Sequence, residues 1–313
     1  MATIMSNTEI SAILDQRGPM IMLDRLRVNS DFSGASGVKC ISIGHSCFQG
    51  HFPGAPILPG VLQVGALSQA AGVLLKMEPG AAADTVPLIR EISRFKFRKP
   101  VMPGDLLRVE VKRDTEDPAL FHGSTYVNGE TASQGRFSMG LFPASDLAFS
   151  GEHLETDWPE LPGISETMAP VMNAEEIMAA IPHRFPFLLI DRVLLCDPET
   201  LRFVALKNVS ATDSYFDYSS TPVLPRYLQA EMAAQAGCGM ALSTPGHKDM
   251  LVYFMAIDKA VFHDHVYPGD QLLVDINISV RSRFGKAVGK LHVGPRVVTD
   301  LELKFAMVER ETV

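Results

Sequence analysis

The 313-residue chain is 46% hydrophobic and 20% charged, with a formal net charge of −8 spread along its length. That composition supplies ample core for a globular protein, and the acidic balance argues against a nucleic-acid partner. Cys40, Cys47, Cys196 and Cys238 form no CxxC pair, so neither a disulfide framework nor a zinc site is expected, and reduced thiols in a cytoplasmic protein are.

In chain order, residues 1–15 carry neither a basic stretch nor a continuous apolar run, so no leader is expected there. The most apolar run, Val61 to Leu75, is interrupted by Gln63, Ser68 and Gln69, and no membrane insertion is expected. Three landmarks then occur twice, in the same order and at nearly constant separation. RGPMIMLDR (Arg17–Arg25) matches RFPFLLIDR (Arg184–Arg192). PILP (Pro56–Pro59), followed by Leu62 and Gln63, matches PVLP (Pro222–Pro225), followed by Leu228 and Gln229. VMPGD (Val101–Asp105) matches VYPGD (Val266–Asp270). Three matches in register indicate a duplicated unit of about 140 residues, a common domain size. Residues 1–143 and 171–313 are then the two units. Residues 144–170, rich in acidic residues, Pro, Gly and Ser, are the linker, with the sole tryptophan, Trp158, expected to anchor it against the surface.

Each unit has one apolar segment crowded with small residues, after Pro59 and after Pro225, as expected of a helix buried on most faces. Residues 94–98 alternate with period two, and residues 271–280 form a β-branched run; both predict strands. An α+β unit follows, with a long central helix wrapped by a curved antiparallel sheet.

Chemistry concentrates around GHFPGAPILPGVL (Gly50–Leu62), where His51 sits in a Gly/Pro loop just before a helix that starts at Gly60. Unpaired amides at a helix start can bind an oxyanion, and a glycine lets a ligand approach them closely. A histidine beside such a turn suits proton abstraction next to a carbonyl. The second unit has Asp217 at the His51 position and Arg226 at the Gly60 position. It places Glu231 on its apolar helix where the first unit has Gly65. The first unit thus has the histidine and glycine, and the second has the carboxylate.

These motifs resemble the 3-hydroxyacyl-[acyl-carrier-protein] dehydratases of the FabZ type, which have a hotdog fold. GHFP and PILPGVL carry the resemblance in the first unit. IPHRFPFLLIDR (Ile181–Arg192), VYFMAID (Val252–Asp258) and YPGD (Tyr267–Asp270) carry it in the second. The resemblance implies a double hotdog. In that family a loop His and a helix Glu form the catalytic pair, and each dimer site takes one from either subunit. Here it implies one composite site with His51 as general base, Glu231 as acid kept protonated by its apolar surroundings, and the Gly60 and Val61 amides on the thioester oxygen. The opposite site, with Asp217, Arg226 and Gly65, would be inert. No cofactor is implied, and the substrate would ride on the phosphopantetheine of acyl carrier protein. Tyr253 is a candidate gate for the acyl tunnel. Arg94, Lys96, Arg98 and Lys99 are a candidate landing patch for the acidic carrier. His183 is expected to be structural, and further homo-oligomerisation is open. The competing readings are a hotdog thioesterase and a non-catalytic acyl-thioester-binding subunit.

Overall fold

The computed structural model describes residues 3–16, 18–148, 158–216, 222–244, 246 and 250–309. Helix α1 (Asn7–Leu14) follows the short strand β1 (Thr3–Ser6) and is capped by Ser6 in a capping box with Glu9. Strands β2 (Arg25–Val28) and β3 (Gly34–Cys40) lead to the central helix α2 (Gly60–Met77). Then come β4 (Thr85–Phe97), β5 (Leu106–Arg113), β6 (Leu120–Val127) and β7 (Glu130–Pro143). The order repeats: α3 (Ala174–Ala180), boxed by Asn173 and Glu176, then β8 (Arg192–Asp197), β9 (Arg202–Asn208) and the central helix α4 (Arg226–Ser243). Strands β10 (Met250–Phe262), β11 (Gln271–Arg281), β12 (Phe284–Val293) and β13 (Arg296–Glu309) complete it.

All thirteen strands form one antiparallel sheet in the order β1-β2-β3-β5-β6-β7-β4-β10-β13-β12-β11-β9-β8. The halves join at its middle, where β4 pairs with β10 through Lys96↔Ala256, Phe95↔Ile257, Ser93↔Lys259, Ile92↔Ala260 and Glu91↔Val261. Ladder hydrogen bonds across that join extend the backbone pairing of one half into the other. The expected double hotdog is therefore what the chain adopts, each long helix packing on its own half of the shared sheet.

Helices α2 and α4 are buried almost throughout, from Val61 to Leu75 and from Arg226 to Ala241. Small residues permit this: a Cβ on Gly239 would meet the Phe203 ring at 2.9 Å, and one on Gly72 would meet Pro87 at the same distance. By length and composition alone α2 could cross a membrane, but 78% of it is buried inside the protein. Trp158 anchors its segment as expected: Trp158, Leu161, Ile164 and Met168 pack on the outward residues Leu194, Val204, Leu206 and Leu273 of the second half, and Trp158 Nε1 donates to Gln271 Oε1 at 3.1 Å. Residues 144–148 stay with the first half, where Ala144 N donates to Asp84 O at 3.1 Å and Leu147 is buried. All four cysteines are free thiols.

Candidate active site

His51 is held by its own loop. Ile57 N donates to His51 O at 3.0 Å, and His51 Nδ1 lies 2.7 Å from Ile57 O. A carbonyl can only accept, so Nδ1 carries the proton and Nε2 keeps its lone pair. The imidazole stacks on Phe52, with centroids 3.9 Å apart, and meets the edge of Phe187 from the other half at 5.5 Å. Burial lowers its pKa to about 4, with the Glu231 charge opposing only in part. The resting ring is a neutral base.

Glu231 is 3% exposed on α4. One helical turn on, Gln235 Nε2 donates to Glu231 Oε1 at 3.0 Å and to Phe187 O at 2.9 Å, while Gln235 Oε1 accepts from Leu189 N at 2.9 Å. One amide thus orients the carboxylate and pins the incoming loop to the helix. His183, from that loop, places Nε2 3.5 Å from Glu231 Oε1, and its Nδ1 is buried with no hydrogen-bond partner. A backbone hydrogen bond, Arg184 N to Gly50 O at 3.0 Å, ties this loop to the His51 loop. The donor atoms of His51, His183 and Glu231 consequently lie within 4.8 Å of one another.

The expectation that apolar surroundings keep Glu231 protonated needs correction. Burial does press the carboxyl's pKa up. The His183 hydrogen bond and charge, the His51 ring and the Gln235 amide together outweigh it and hold the carboxyl below its ordinary value. His183 is the group that sequence reasoning left outside the site. Its signal was present, because the first half has Gln16 at the matching position just as it has Gly65 for Glu231. In that half Gln69 repeats the clamp of Gln235, accepting from Met22 N at 2.8 Å and donating to Met20 O and to Gln16 Oε1.

Gly60 opens α2 after Pro59, with no side chain capping that end. The amides of Gly60 and Val61 have no acceptor within the helix and lie at the positive end of its dipole, while Leu62 N already donates to Pro59 O at 3.0 Å. A Cβ at Gly60 would come within 2.9 Å of the Phe97 ring, which packs on Phe254 at 5.0 Å. Strand alternation turns Phe254 inward and leaves Tyr253 51% exposed on the other face. Phe254, and not Tyr253, is the side chain of this strand that packs beside the Gly60 end of α2 through Phe97. Where the second half has Glu231 the first has Gly65, and a Cβ there would meet the Tyr227 ring of the second half at 3.0 Å. Asp217, the counterpart of His51, lies outside the described residues.

Arg94, Lys96 and Arg98 are exposed near the centre of the sheet, while Lys99 is paired with Glu130 at 2.6 Å. His51, His183 and Glu231 are also the one group of His, Cys or acidic side chains among the described residues spaced to hold a metal ion. Such an ion would need the His51 Nε2 lone pair, the same electrons a base would use.

Each half of the chain matches a known family. Residues 31–136 match the ApeI dehydratase family model, and residues 181–302 match the FabA-like domain model. The chain is 38% identical over 140 residues to the 3-hydroxyacyl-[acyl-carrier-protein] dehydratase FabZ of Pelotomaculum thermopropionicum, covering 44% of this chain and 99% of that protein. It is 40% identical over 144 residues to the protein of the same name from Roseiflexus castenholzii, covering 45% and 100%. Among solved structures, the dehydratase domain of RzxB from Pseudomonas fluorescens superposes over 92% of this chain and 98% of its own, with a TM-score of 0.60 at 16% identity. The dehydratase domain from the CurJ module of curacin polyketide synthase does so over 92% and 97%, with a TM-score of 0.60 at 12% identity. Those two likenesses concern the fold.

Proposed function

The chain belongs to the FabZ/FabA-like hotdog dehydratase family, and from that premise we propose that it dehydrates 3-hydroxyacyl thioesters to trans-2-enoyl thioesters at one composite site between its halves. One observation carries the reading. His51 from the first half stands within 4.8 Å of Glu231 and His183 from the second. A base with a free Nε2 and a clamped carboxylate are what an elimination next to a carbonyl requires.

In the proposed sequence the thioester carbonyl rests on the Gly60 and Val61 amides, which stabilise the negative charge that develops on its oxygen. Neutral His51 takes the α-proton. The β-hydroxyl lies between His51 and Glu231, and the same proton passes through the imidazolium and the carboxyl to the departing oxygen, which leaves as water. Glu231 therefore starts as a carboxylate and ends as one, which accords with its lowered pKa. The reverse reaction hydrates enoyl thioesters. The acyl chain is carried by acyl carrier protein, with Arg94, Lys96 and Arg98 as the landing patch; the Lys99 charge is already partnered.

The test is hydration of crotonyl and longer enoyl thioesters, followed as loss of absorbance. His51→Ala and Glu231→Gln are each expected to slow it by about 10²–10⁴-fold. An active His51→Ala protein would overturn the assignment, and release of free acid in place of hydrated thioester would make the chain a thioesterase.

A further inference from the structure

The other junction between the halves, where Arg226 stands in place of Gly60, is not solid. At the helix start that matches Gly60 it keeps a cavity of about 70 Å³, lined by Arg226 and Tyr227 of α4 and by Gln16 and Ser68 of the first half. Its remaining walls are mainly apolar, with Leu14, Met20, Val86, Leu88 and Val223 among them.

Arg226 is 4% exposed, and no carboxylate among the described residues is hydrogen-bonded to it. Nη1 donates to Ile89 O, Nη2 faces His265 Nδ1 at 3.4 Å, and Nε is buried without a partner. The guanidinium carbon lies 5.2 Å from the Phe142 ring centroid, and that of Arg90 approaches the same ring at the same distance. Asp264, whose charge acts on Arg226, is itself paired with Arg296. A buried cation without a matched anion is costly, and a planar guanidinium is best satisfied by a planar, bidentate acceptor.

We propose that this cavity is a binding site for a short carboxylic acid, its carboxylate on Arg226 and its alkyl chain against the apolar walls. The carboxylate supplies an anion hydrogen-bonded to Arg226, which none of the described residues does, and Nε adds a donor that no described residue uses. The walls favour an alkyl acid over an inorganic anion. The site is separate from the His51–Glu231 cluster, and its occupancy does not depend on catalysis there.

Calorimetric titration of the full chain with acetate, propionate and butyrate tests this. One saturable site is expected, with affinity rising about fourfold for each added methylene. Binding of butyrate is expected to persist in His51→Ala and Glu231→Gln and to weaken at least tenfold in Arg226→Met. Should Arg226→Met fail to fold, Val86→Phe fills the cavity while keeping the guanidinium, and it is expected to abolish binding. Absence of saturable butyrate binding in the wild type, or its survival in both cavity variants, would overturn the proposal. Loss of binding in His51→Ala would do the same by placing the acid in the other site. Sulfate binding as tightly as butyrate would make this an inorganic-anion site instead.

Discussion

Replacing Gly50 with alanine tests what holds the two loops of the site together. Gly50 has an ordinary φ of −113°, so its lack of a side chain answers to space and not to backbone conformation. A Cβ there would overlap the Arg184 carbonyl oxygen and come within 2.9 Å of both Arg184 C and Phe187 N. These are backbone atoms of the loop that carries His183, and they cannot rotate away. Relieving the overlap requires the loops to part by on the order of 1 Å, given ordinary contact distances of ~3.5–4.0 Å. The Arg184 N to Gly50 O hydrogen bond would be lost in the process. A displacement of 1 Å at a catalytic group can cost about 10²-fold in rate, and overpacking of this kind about 1–3 kcal/mol in stability. Gly50→Ala should therefore lower enoyl-thioester hydration by roughly 100-fold, with a fall in melting temperature of about 2–4 °C for each kcal/mol lost. Gly54→Ala is the control. It sits in the same loop at φ +77°, with nothing within 4 Å of its Cβ, so it should cost stability with little rate. If Gly50→Ala kept more than a third of wild-type turnover, the loop-to-loop contact would not be what sets the His51–Glu231 geometry.

Because His51 titrates at about 4 and Glu231 below its ordinary value, kcat/KM should stay flat from pH 8 to about 6 and fall only as the pH approaches 4; an inflection near 6.5 would refute the burial account. The same depressed histidine binds fewer protons folded than unfolded, so its contribution to stability is intact above its ordinary value of 6.5 and is lost as pH falls from there toward 4; urea unfolding across that range should show the decline. Lys96→Glu with Arg98→Glu should raise KM about tenfold for carrier-linked substrates and leave it unchanged for small-molecule thioesters; equal effects on both would remove the landing patch. Incubation with EDTA should leave turnover intact, and a loss restored by zinc would turn His51, His183 and Glu231 into metal ligands.

Much of the architecture was legible because duplication supplies its own comparison. The three repeated landmarks and the helix starts at Gly60 and Arg226 could be read off directly, as could the β-branched strand near Gln271. Comparing the halves also singled out His51, Gly60 and Glu231. What escaped depended on contacts made through space. His183 reads as part of a structural loop until that loop docks on Gly50 and swings the ring to Glu231. Its hydrogen bond and charge, together with the His51 ring and the Gln235 amide, reverse the direction of the Glu231 pKa shift expected from apolar neighbours alone. Tyr253 and Phe254 differ only in the phase of a strand, and a period of two cannot say which phase faces the helix. The packing of the Trp158 segment on the second half likewise rests on the outward apolar residues of β8, β9 and β11, which a reading of the linker by itself does not reveal.

The continuous ladder from β4 into β10 also bears on inheritance. In a homodimer each codon is read into both interfaces, so a change that dismantles one site dismantles its twin. Here one peptide writes the two faces separately. Gly65 can take the place of a glutamate on one side while Glu231 stays on the other. With two units joined end to end, each interface can vary by itself, and the paired strands β4 and β10 keep both halves in one sheet whichever interface changes.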